Sequence, residues 1–308
     1  MKIPSNPIRK SINNPRKVLS WIKNNVILPA YTASYLYFRQ INQTIHSKYV
    51  SAGDLDVMNE KWDILIILDA CRYDYFNEIN SVDGSLSKRN SPGSMSKEYI
   101  DQSFCGRELH DTVYVTANPF VSKIPEGTFY DIISHAGDFW ENDIDTVPPE
   151  RMIQATRTAL DKYPNKRIIS HFMQPHHPFL SDFGRKMNSN LHWQGSQFFP
   201  INCTSDDIRR AYRENIEYVL NKMESITEYT DRETVITSDH GELMGERLFP
   251  IPIKGWEHPK SLYVEELIEV PWLRIPGESR KIVSESPRDD QEVDTDTLHQ
   301  RLADLGYR

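Results

Sequence analysis

The chain has 308 residues, of which 38% are hydrophobic and 11% aromatic, enough to bury one large core or two smaller ones. It contains no apolar run of about 18 residues, the length that a membrane-spanning helix needs, and its polar amino terminus has no apolar segment of a secretory signal, so we expect neither an integral membrane protein nor a secreted one. Three cysteines, an odd number without metal-ligand spacing, argue against a disulfide framework and favour a reducing compartment, so we predict a cytoplasmic location.

The formal net charge of −8 is distributed unevenly along the chain. Residues 1–50 contain eight Lys or Arg and no Asp or Glu, which leaves 28 basic and 44 acidic residues, or a charge of −16, for the remainder. Apolar residues recur in this basic segment at roughly helical spacing: Val18, Trp21, Ile22, Val26, Tyr35, Phe38 and Ile41. The pattern predicts a basic amphipathic arm over residues 1–50. This arm either packs on the acidic body as a pair of helices or makes a peripheral contact with an anionic membrane surface or a partner; a targeting peptide is a third interpretation.

Beyond the arm, apolar runs alternate with helical patterns, and we predict one catalytic domain over residues 55–308. The runs typical of buried strands are residues 62–70, 111–119, 166–175, 233–241 and, more weakly, 267–275. Helical spacing occupies residues 148–163 and 205–226, the second with Ser205 or Asp206 as its expected N-cap. The alternation predicts an α/β fold, with a mostly parallel central sheet and helices on both faces.

Polar residues follow three of the predicted strands at the point where each strand ends. Asp69 follows the first, the sequence "MQPHHPF" with His176 follows another, and Asp239 and His240 follow a third. Because ligands in such sheets bind outside the carboxyl ends of the strands, we expect these side chains to share one site. Taken alone, Asp69 could instead cap the next turn, and a single histidine is usually a satisfied polar group.

Five short stretches, in this order, resemble the sulfatase branch of the alkaline phosphatase superfamily: "LDACRYD", "QPHHPF", "TSDHGELMGE", "GWEHP" and "LADLGYR". The most specific is "SDHGE", residues 238–242. The resemblance runs from about residue 60 to the carboxyl end and leaves the basic arm outside it.

The resemblance implies metal and substrate roles for particular residues. Asp69, Asp239 and His240 match metal ligands of that superfamily, and His176 matches a histidine that contacts the transferring sulfuryl or phosphoryl oxygens. His258 stands where relatives have a residue that binds substrate or, in two-metal members, the second metal.

Two carboxylates and an imidazole suit Zn or Mn, with Mg or Ca possible where more oxygens join the coordination shell. We favour Zn or Mn because His240 stands where calcium-dependent sulfatases usually have Asn. Glu242 is expected to hydrogen-bond a ligand. Arg72 either contacts substrate oxygens or forms a surface ion pair with Asp74.

The nucleophile departs from the family pattern. Sulfatases that carry formylglycine need a Cys/Ser-x-Pro-x-Arg motif, and none of the cysteines has it. The segment over residues 90–104 offers three serines, Ser91, Ser94 and Ser96, before a predicted helix. We predict that Ser96 caps that helix and that Ser94 is the nucleophile, ahead of Ser96 and then Ser91. Because this segment lacks the motif, phosphate ester or phosphonate chemistry is favoured over sulfate.

The sequence therefore predicts a metal-dependent hydrolase or phosphotransferase of sulfate or phosphate esters, acting through a serine. The substrate would be a small-molecule, glycan or lipid ester. The alternative is a noncatalytic protein of this fold that serves as a binding or scaffold subunit at a membrane surface. Nucleic-acid binding is not expected, because the basic segment has no recognisable reading motif and the body is acidic.

Overall fold

A computed structural model describes residues 28–141, 143–188, 191–193, 198–200, 203–278, 280–288 and 295–304. Its centre is a seven-stranded sheet in the order β2-β11-β8-β1-β5-β3-β4. The strands of this sheet are β1 (Ile64–Asp69), β2 (Ser85–Asn90), β3 (Leu109–Thr116), β4 (Phe129–Ser134), β5 (Arg167–Pro175), β8 (Thr234–Ser238) and β11 (Glu269–Ile275). Two small ribbons pair β6 (Leu191–Trp193) with β7 (Phe198–Pro200) and β9 (Leu243–Arg247) with β10 (Lys254–Glu257).

The sheet is mostly parallel. β8, β1, β5, β3 and β4 run in one direction, and β11 is antiparallel to both of its neighbours, β8 and β2. β1 is buried along its whole length, as expected for a strand covered on both faces. Its side chains alternate between two apolar clusters: Ile64, Ile66 and Leu68 join one, and Leu65 and Ile67 join the other.

Helices cover both faces of this sheet. The helices are α1 (Leu28–Tyr49), α2 (Tyr73–Ile79), α3 (Ser96–Ser103), α4 (Pro149–Lys162), α5 (Asp182–Asn188), α6 (Ser205–Thr227), α7 (Glu265–Ile268) and α8 (Thr295–Asp304). The apolar sides of α4 and α6 pack in the cluster that contains Ile64, while α3 and α8 contribute to the one that contains Leu65.

The predicted fold class, a mostly parallel sheet with helices on both faces, is confirmed. All five predicted strands are present, whereas β2 and β4 lie in stretches for which no strand was predicted. The expected cap of α6 was wrong by one residue or two: Thr204 is the N-cap, and it forms a reciprocal capping box with Asp207.

Part of the predicted basic arm is the helix α1, which packs on the body through Tyr35, Asn42 and His46. The Asn42 side chain exchanges two hydrogen bonds with the backbone of Ile251, at 2.9 and 2.8 Å. The remaining predicted apolar positions of the arm, Val18 to Val26, lie outside the described residues. No helix in the described part of the chain is both long enough and apolar enough to cross a membrane. The division into an arm and a catalytic domain stays a prediction.

Candidate metal centre

Three adjacent parallel strands, β8, β1 and β5, end at the same edge of the sheet. In register, Leu68 of β1 pairs with Ser238 of β8, and Asp69 pairs with Pro175 of β5. The residues that immediately follow these pairs therefore meet over the edge of the sheet. The predicted site residues of all three strands lie there.

Asp69, Asp239 and His240 form a buried group whose ligand atoms all lie within 4.8 Å of one another. His240 Nε2 is 3.6 Å from Asp69 Oδ1 and 3.4 Å from Asp239 Oδ2. Its Nδ1 lies 2.8 Å from the carbonyl oxygen of Gly241, which only accepts, so Nδ1 carries the proton and Nε2 presents a lone pair. Burial lowers the pKa of His240, which keeps this imidazole neutral and ready to coordinate.

Two carboxylate oxygens of this group are buried without a hydrogen-bond partner among the described residues, Asp69 Oδ1 and Asp239 Oδ2. Burial raises the pKa of Asp69 well above its usual value, and the charges of Asp239 and Glu242 raise it further. For Asp239, burial opposes ionisation, but His240, His171 and an amide lower its pKa overall. Burying these two carboxylate oxygens opposite the lone pair of His240 Nε2 costs free energy unless a cation binds between them. The group therefore fits a divalent metal ion.

The other oxygens of the two carboxylates are held in fixed positions. Asp239 Oδ1 accepts the amide hydrogens of Ala70, at 3.0 Å, and of His240, at 2.8 Å. Asp69 Oδ2 accepts a hydrogen bond from Asn118 Nδ2 at 3.1 Å. The free oxygens are thereby directed to one point, as in sites where outer partners orient the ligands.

Sequence reasoning missed two supporting residues, Asn118 and His171. His171 is fully buried on β5, with Nε2 at 3.5 Å from Asp239 Oδ2 and Nδ1 at 2.7 Å from the Tyr114 hydroxyl. Asn118 follows β3, one strand beyond β5. The only signal available was that Asn118 is the next-to-last residue of the predicted run 111–119, as Asp69 is of the run 62–70.

The backbone after β8 makes a close turn. A Cβ atom built on Gly241 would lie 2.1 Å from the carbonyl oxygen of Glu266, so a side chain is excluded at this position. Ser238 bridges the same turn, since its hydroxyl lies 2.7 Å from the carbonyl oxygens of both Leu68 and His240. In "SDHG", Ser238 and Gly241 therefore shape the turn, while Asp239 and His240 supply two of the candidate metal ligands.

The three candidate serines are in three different environments. Ser96 is the first residue of α3, buried, with its hydroxyl oxygen 3.2 Å from His240 Nε2. Ser94, the predicted nucleophile, instead lies 2.9 Å from a Glu98 carboxylate oxygen and 3.0 Å from the carbonyl oxygen of Pro259. Ser91 donates to the carbonyl oxygen of Asp239.

The predicted order of Ser94 before Ser96 therefore differs from the geometry. Ser96 is not the helix cap, since Met95 occupies the N-cap position without a side-chain hydrogen bond. The amide of Ser94 donates a hydrogen bond to the Glu98 carboxylate, at 3.0 Å, so Ser94 is bonded to the first turn of the helix. Of the three serines, Ser96 is the one whose hydroxyl faces the metal group, that is, Asp69, Asp239 and His240.

A second group of possible ligands, His176, Glu242 and His258, adjoins the first. His258 Nδ1 is 3.1 Å from Glu242 Oε2, and the rings of His240 and His258 have centroids 4.5 Å apart. Burial raises the pKa of Glu242 to about 7 and lowers those of His176 and His258 to about 4, in His176 with a contribution from His258. This group fits a second cation or, without one, contacts to substrate oxygens.

Arg72 lies near the site, but its nitrogens are engaged. Its guanidinium donates to both carboxylate oxygens of Asp74, at 2.9 and 2.6 Å, and to Glu246 at 2.7 Å. Burial alone would lower its pKa, but these two carboxylates raise it. The geometry corresponds to the ion-pair alternative, except that the guanidinium is buried rather than on the surface.

Searches with the sequence found no matching family model and no matching curated protein. Comparison of the structure with solved structures did find similar folds. The periplasmic domain of EptC from Escherichia coli is 13% identical and matches over 83% of this chain and 86% of that domain, with a TM-score of 0.44. A putative sulfatase from Bacteroides thetaiotaomicron is 15% identical and matches over 80% of this chain and 71% of that one, with a TM-score of 0.43.

The integral membrane phosphoethanolamine transferase A from Neisseria meningitidis is 12% identical, with a TM-score of 0.39. The match covers 86% of this chain but 60% of the transferase, so this chain corresponds to part of that protein's length. These neighbours are phosphoethanolamine transferases and sulfatases, proteins of the sulfatase-like branch that the sequence resembles. At these identities the matches show a likeness of fold.

The comparison contradicts the predicted cytoplasmic location. The EptC neighbour is a periplasmic domain, and the transferase from Neisseria is an integral membrane protein. The cytoplasmic prediction was therefore wrong. It was based on an odd cysteine count and a polar amino terminus, and neither property fixes the compartment in which a fold of this kind works.

Proposed function

We propose that this protein is a metal-dependent enzyme that transfers or hydrolyses a phosphate or sulfate ester, with Ser96 as its nucleophile. One observation carries the proposal: Asp69 Oδ1 and Asp239 Oδ2, buried without a hydrogen-bond partner among the described residues, converge with the unprotonated His240 Nε2 beside the Ser96 hydroxyl. A metal site next to a hydroxyl is the arrangement that activates a serine for attack on an oxyanion ester.

Asp69, Asp239 and His240 would hold a divalent cation, with Zn or Mn favoured over Mg or Ca because the ligand set includes an imidazole. The cation, when bound, neutralises charge on the transferring group and lowers the pKa of the neighbouring hydroxyl. Burial and, after it, the charges of Asp239 and Glu242 raise the pKa of Asp69, and a cation held by these residues would offset both effects.

Ser96 is well placed for the transfer step. It begins an eight-residue helix, α3, whose first-turn amides have no partner within the helix and so favour an anionic group. The Ser96 oxygen would bond to phosphorus or sulfur as the bond to the leaving oxygen breaks. Water or a second hydroxyl would then displace Ser96 from the covalent intermediate, which distinguishes a hydrolase from a transferase.

His176, Glu242 and His258 would serve the leaving and equatorial oxygens. Glu242, with a pKa of about 7, can hold or release a proton near neutrality, and His258 lies within hydrogen-bond distance of it. We assign His176 to the transferring group, as the resemblance implies. If a second cation binds, these three residues are its ligands.

Phosphate is the favoured ester, because the segment over residues 90–104, which holds the candidate serines, lacks the motif from which formylglycine is made. The non-transferred part of the substrate would be a small molecule, a glycan or a lipid. Contact of the basic arm with a membrane stays a prediction.

A noncatalytic scaffold that keeps the fold and the metal is the alternative. Such a protein has no need of a hydroxyl beside the metal ligands, so the position of Ser96 favours the enzyme.

The test compares Ser96→Ala with Ser94→Ala in purified, metal-analysed protein. Both variants and the parent are assayed on p-nitrophenyl phosphate, p-nitrophenyl sulfate, bis-p-nitrophenyl phosphate and a phosphoethanolamine ester. We expect Ser96→Ala to lose about a thousandfold or more of the activity and Ser94→Ala to keep most of it. A covalent adduct on Ser96, identified by peptide mass spectrometry, would support the assignment directly.

Three outcomes would contradict the proposal in different ways. An active Ser96→Ala variant with no serine adduct would mean that water attacks directly. An adduct on Ser94 would restore the order predicted from the sequence. Full metal occupancy without turnover of any ester would favour the scaffold.

A further inference from the structure

The chain turns sharply directly after the candidate metal ligand Asp69. Residues 70–72 join the end of β1 to the start of α2, and Ala70 has a φ of 59°. This is the left-handed region of the backbone, which is unfavourable for a residue that has a Cβ atom. Such a conformation persists where the surrounding groups fix it. The position of Asp69 therefore depends on what holds this turn.

Each backbone amide of residues 70–72 donates to a side chain from a distant part of the chain. The first amide donates to Asp239 Oδ1 at 3.0 Å, and the second donates to the Ser238 hydroxyl at 2.8 Å. Ser238 ends β8, and Asp239 follows it. The third amide donates to the hydroxyl of Tyr212, a residue of α6, at 2.9 Å. The turn is thus fixed by the end of β8 and by a helix that covers the sheet.

Tyr212 bridges the turn with both functions of its hydroxyl. Besides accepting the amide hydrogen of Arg72, the hydroxyl donates to the carbonyl oxygen of Ala70 at 2.6 Å. Burial raises the pKa of Tyr212 well above its ordinary value, so the hydroxyl keeps the proton that it donates. One side chain of α6 therefore satisfies a donor and an acceptor on the two sides of the strained turn.

The hydroxyl of Tyr212 is itself held in place. The side chain is buried, and its ring packs edge-on against the ring of Tyr75, with centroids 5.3 Å apart. About one turn further along α6, the fully buried Asn215 donates to the carbonyl oxygen of Pro175 at 2.9 Å. Pro175 is the last residue of β5. The helix is therefore attached to a second strand that ends at the metal centre.

We propose that Tyr212 is a positioning residue of the metal centre, which holds the turn over residues 70–72 and thereby the carboxylate of Asp69. The hydroxyl bonds to backbone groups of the turn, so it acts through the chain and not on the cation. Without these two bonds the strained turn can relax, and Asp69 has to be ordered again when a cation binds. The inference rests on the proposed role of Asp69 as a ligand.

The test compares the zinc affinity of the full chain with the affinities of Tyr212→Phe and Tyr163→Phe, by competition with a chromophoric chelator. Tyr163 is the matched control, because it is buried and its hydroxyl donates to the Asp131 carboxylate. It precedes β5, at the opposite edge of the sheet from the metal centre. Both variants should unfold at lower urea concentration, since each loses a buried hydrogen bond. Zinc affinity should fall about tenfold in Tyr212→Phe and stay within about twofold of the parent in Tyr163→Phe.

Ala70→Gly distinguishes a released turn from a general loss of stability. Glycine adopts a φ of 59° without strain, so Ala70→Gly should restore part of the zinc affinity when it is combined with Tyr212→Phe. The visible absorption of bound Co²⁺, which depends on coordination geometry, should change in Tyr212→Phe and not in Tyr163→Phe. Circular dichroism establishes that each variant is folded. If Tyr212→Phe alone does not fold, Ala70→Gly with and without Tyr212→Phe provides the same comparison.

Parent-like zinc affinity in folded Tyr212→Phe would overturn the proposal. So would an equal loss of affinity in Tyr163→Phe, because the loss would then follow from lower stability alone. A double variant that binds zinc no better than Tyr212→Phe would exclude the strained turn as the link to Asp69. A parent that binds neither zinc nor cobalt would instead contradict the proposed function, and with it the premise of this inference.

Discussion

Replacement of Ser94 by alanine should destabilise the protein without removing its metal. Ser94 is fully buried, and its hydroxyl lies 2.9 Å from Glu98 Oε2 and 3.0 Å from the carbonyl oxygen of Pro259. It also accepts the amide hydrogen of Leu262 at 3.3 Å. Ser94 therefore joins the start of α3 to the loop over residues 259–262.

The size of the effect follows from the groups left without partners. The hydroxyl hydrogen can satisfy one of its two acceptors, and the oxygen satisfies the Leu262 amide. Loss of a neutral hydrogen bond costs about 1 kcal/mol of stability. If the former partner stays buried without a new hydrogen bond, this cost rises toward about 3 kcal/mol. Glu98 retains its bonds to the amide and hydroxyl of Ser261, at 3.0 and 2.9 Å, so the loop stays attached. We expect a loss of about 2 kcal/mol in the free energy of unfolding.

Urea unfolding of metal-loaded protein measures this loss as a lower midpoint with an unchanged slope. Ser96→Ala, whose hydroxyl faces the metal ligands rather than the loop, is the matched control and should lose less than about 1 kcal/mol. Equal midpoints for the parent and Ser94→Ala would refute this account of Ser94. A stable Ser94→Ala protein with metal but without turnover would do so as well, and would return Ser94 to the role of nucleophile.

Three further predictions concern the metal group and a surface ion pair. Asp239→Ala should reduce bound metal to well below one equivalent in elemental analysis with the fold retained, and full occupancy would exclude it as a ligand. Asn118→Ala should weaken metal affinity about tenfold in a chelator competition, since it frees Asp69 Oδ2; an unchanged affinity would show that Asp69 is held by other groups. Asp56 accepts two hydrogen bonds from Arg107, which lower its pKa, so its contribution to stability is present above the unfolded pKa and disappears as pH falls through the folded one. Asp56→Asn should thus lower the urea midpoint at neutral pH but not in acid, and a deficit that persists in acid would contradict this sign.

The sequence was informative where burial leaves a pattern. β1 and β8 are buried through their length and β5 is buried after its first residue, so all three appear as apolar runs whose ends could be aligned, and the group of Asp69, Asp239 and His240 could be predicted. β2 is an edge strand with mostly exposed side chains, and its sequence "SLSKRN" has no apolar run to reveal it. Among the described strands it pairs with β11 alone, a contact between residues far apart in the chain.

The choice among the serines could not be made from sequence. It depends on which residue begins α3, and Met95 takes the N-cap position without any side-chain bond that a cap preference could detect. Ser94 is held by two groups that its own position in the sequence does not reveal. Its amide donates to the Glu98 carboxylate, and its hydroxyl lies 3.0 Å from the carbonyl oxygen of Pro259, which is distant in the chain. His171 could not be predicted for a similar reason. In the sequence it is one residue of a buried strand, and the pairing of β5 with β1 is needed to bring it within 3.5 Å of Asp239.

The pairing of β1 with β8 has a consequence for the entropy of metal binding. These strands pair in register from Ile64 with Thr234 to Leu68 with Ser238, and the two carboxylate ligands come directly after. The separation of their Cα atoms is therefore set by the spacing between neighbouring strands, about 4.8 Å, and not by a loop that can adjust. The two carboxylates can face one cation without the closure of a loop. The entropy of arranging these two residues is thus lost when the protein folds and not when an ion binds.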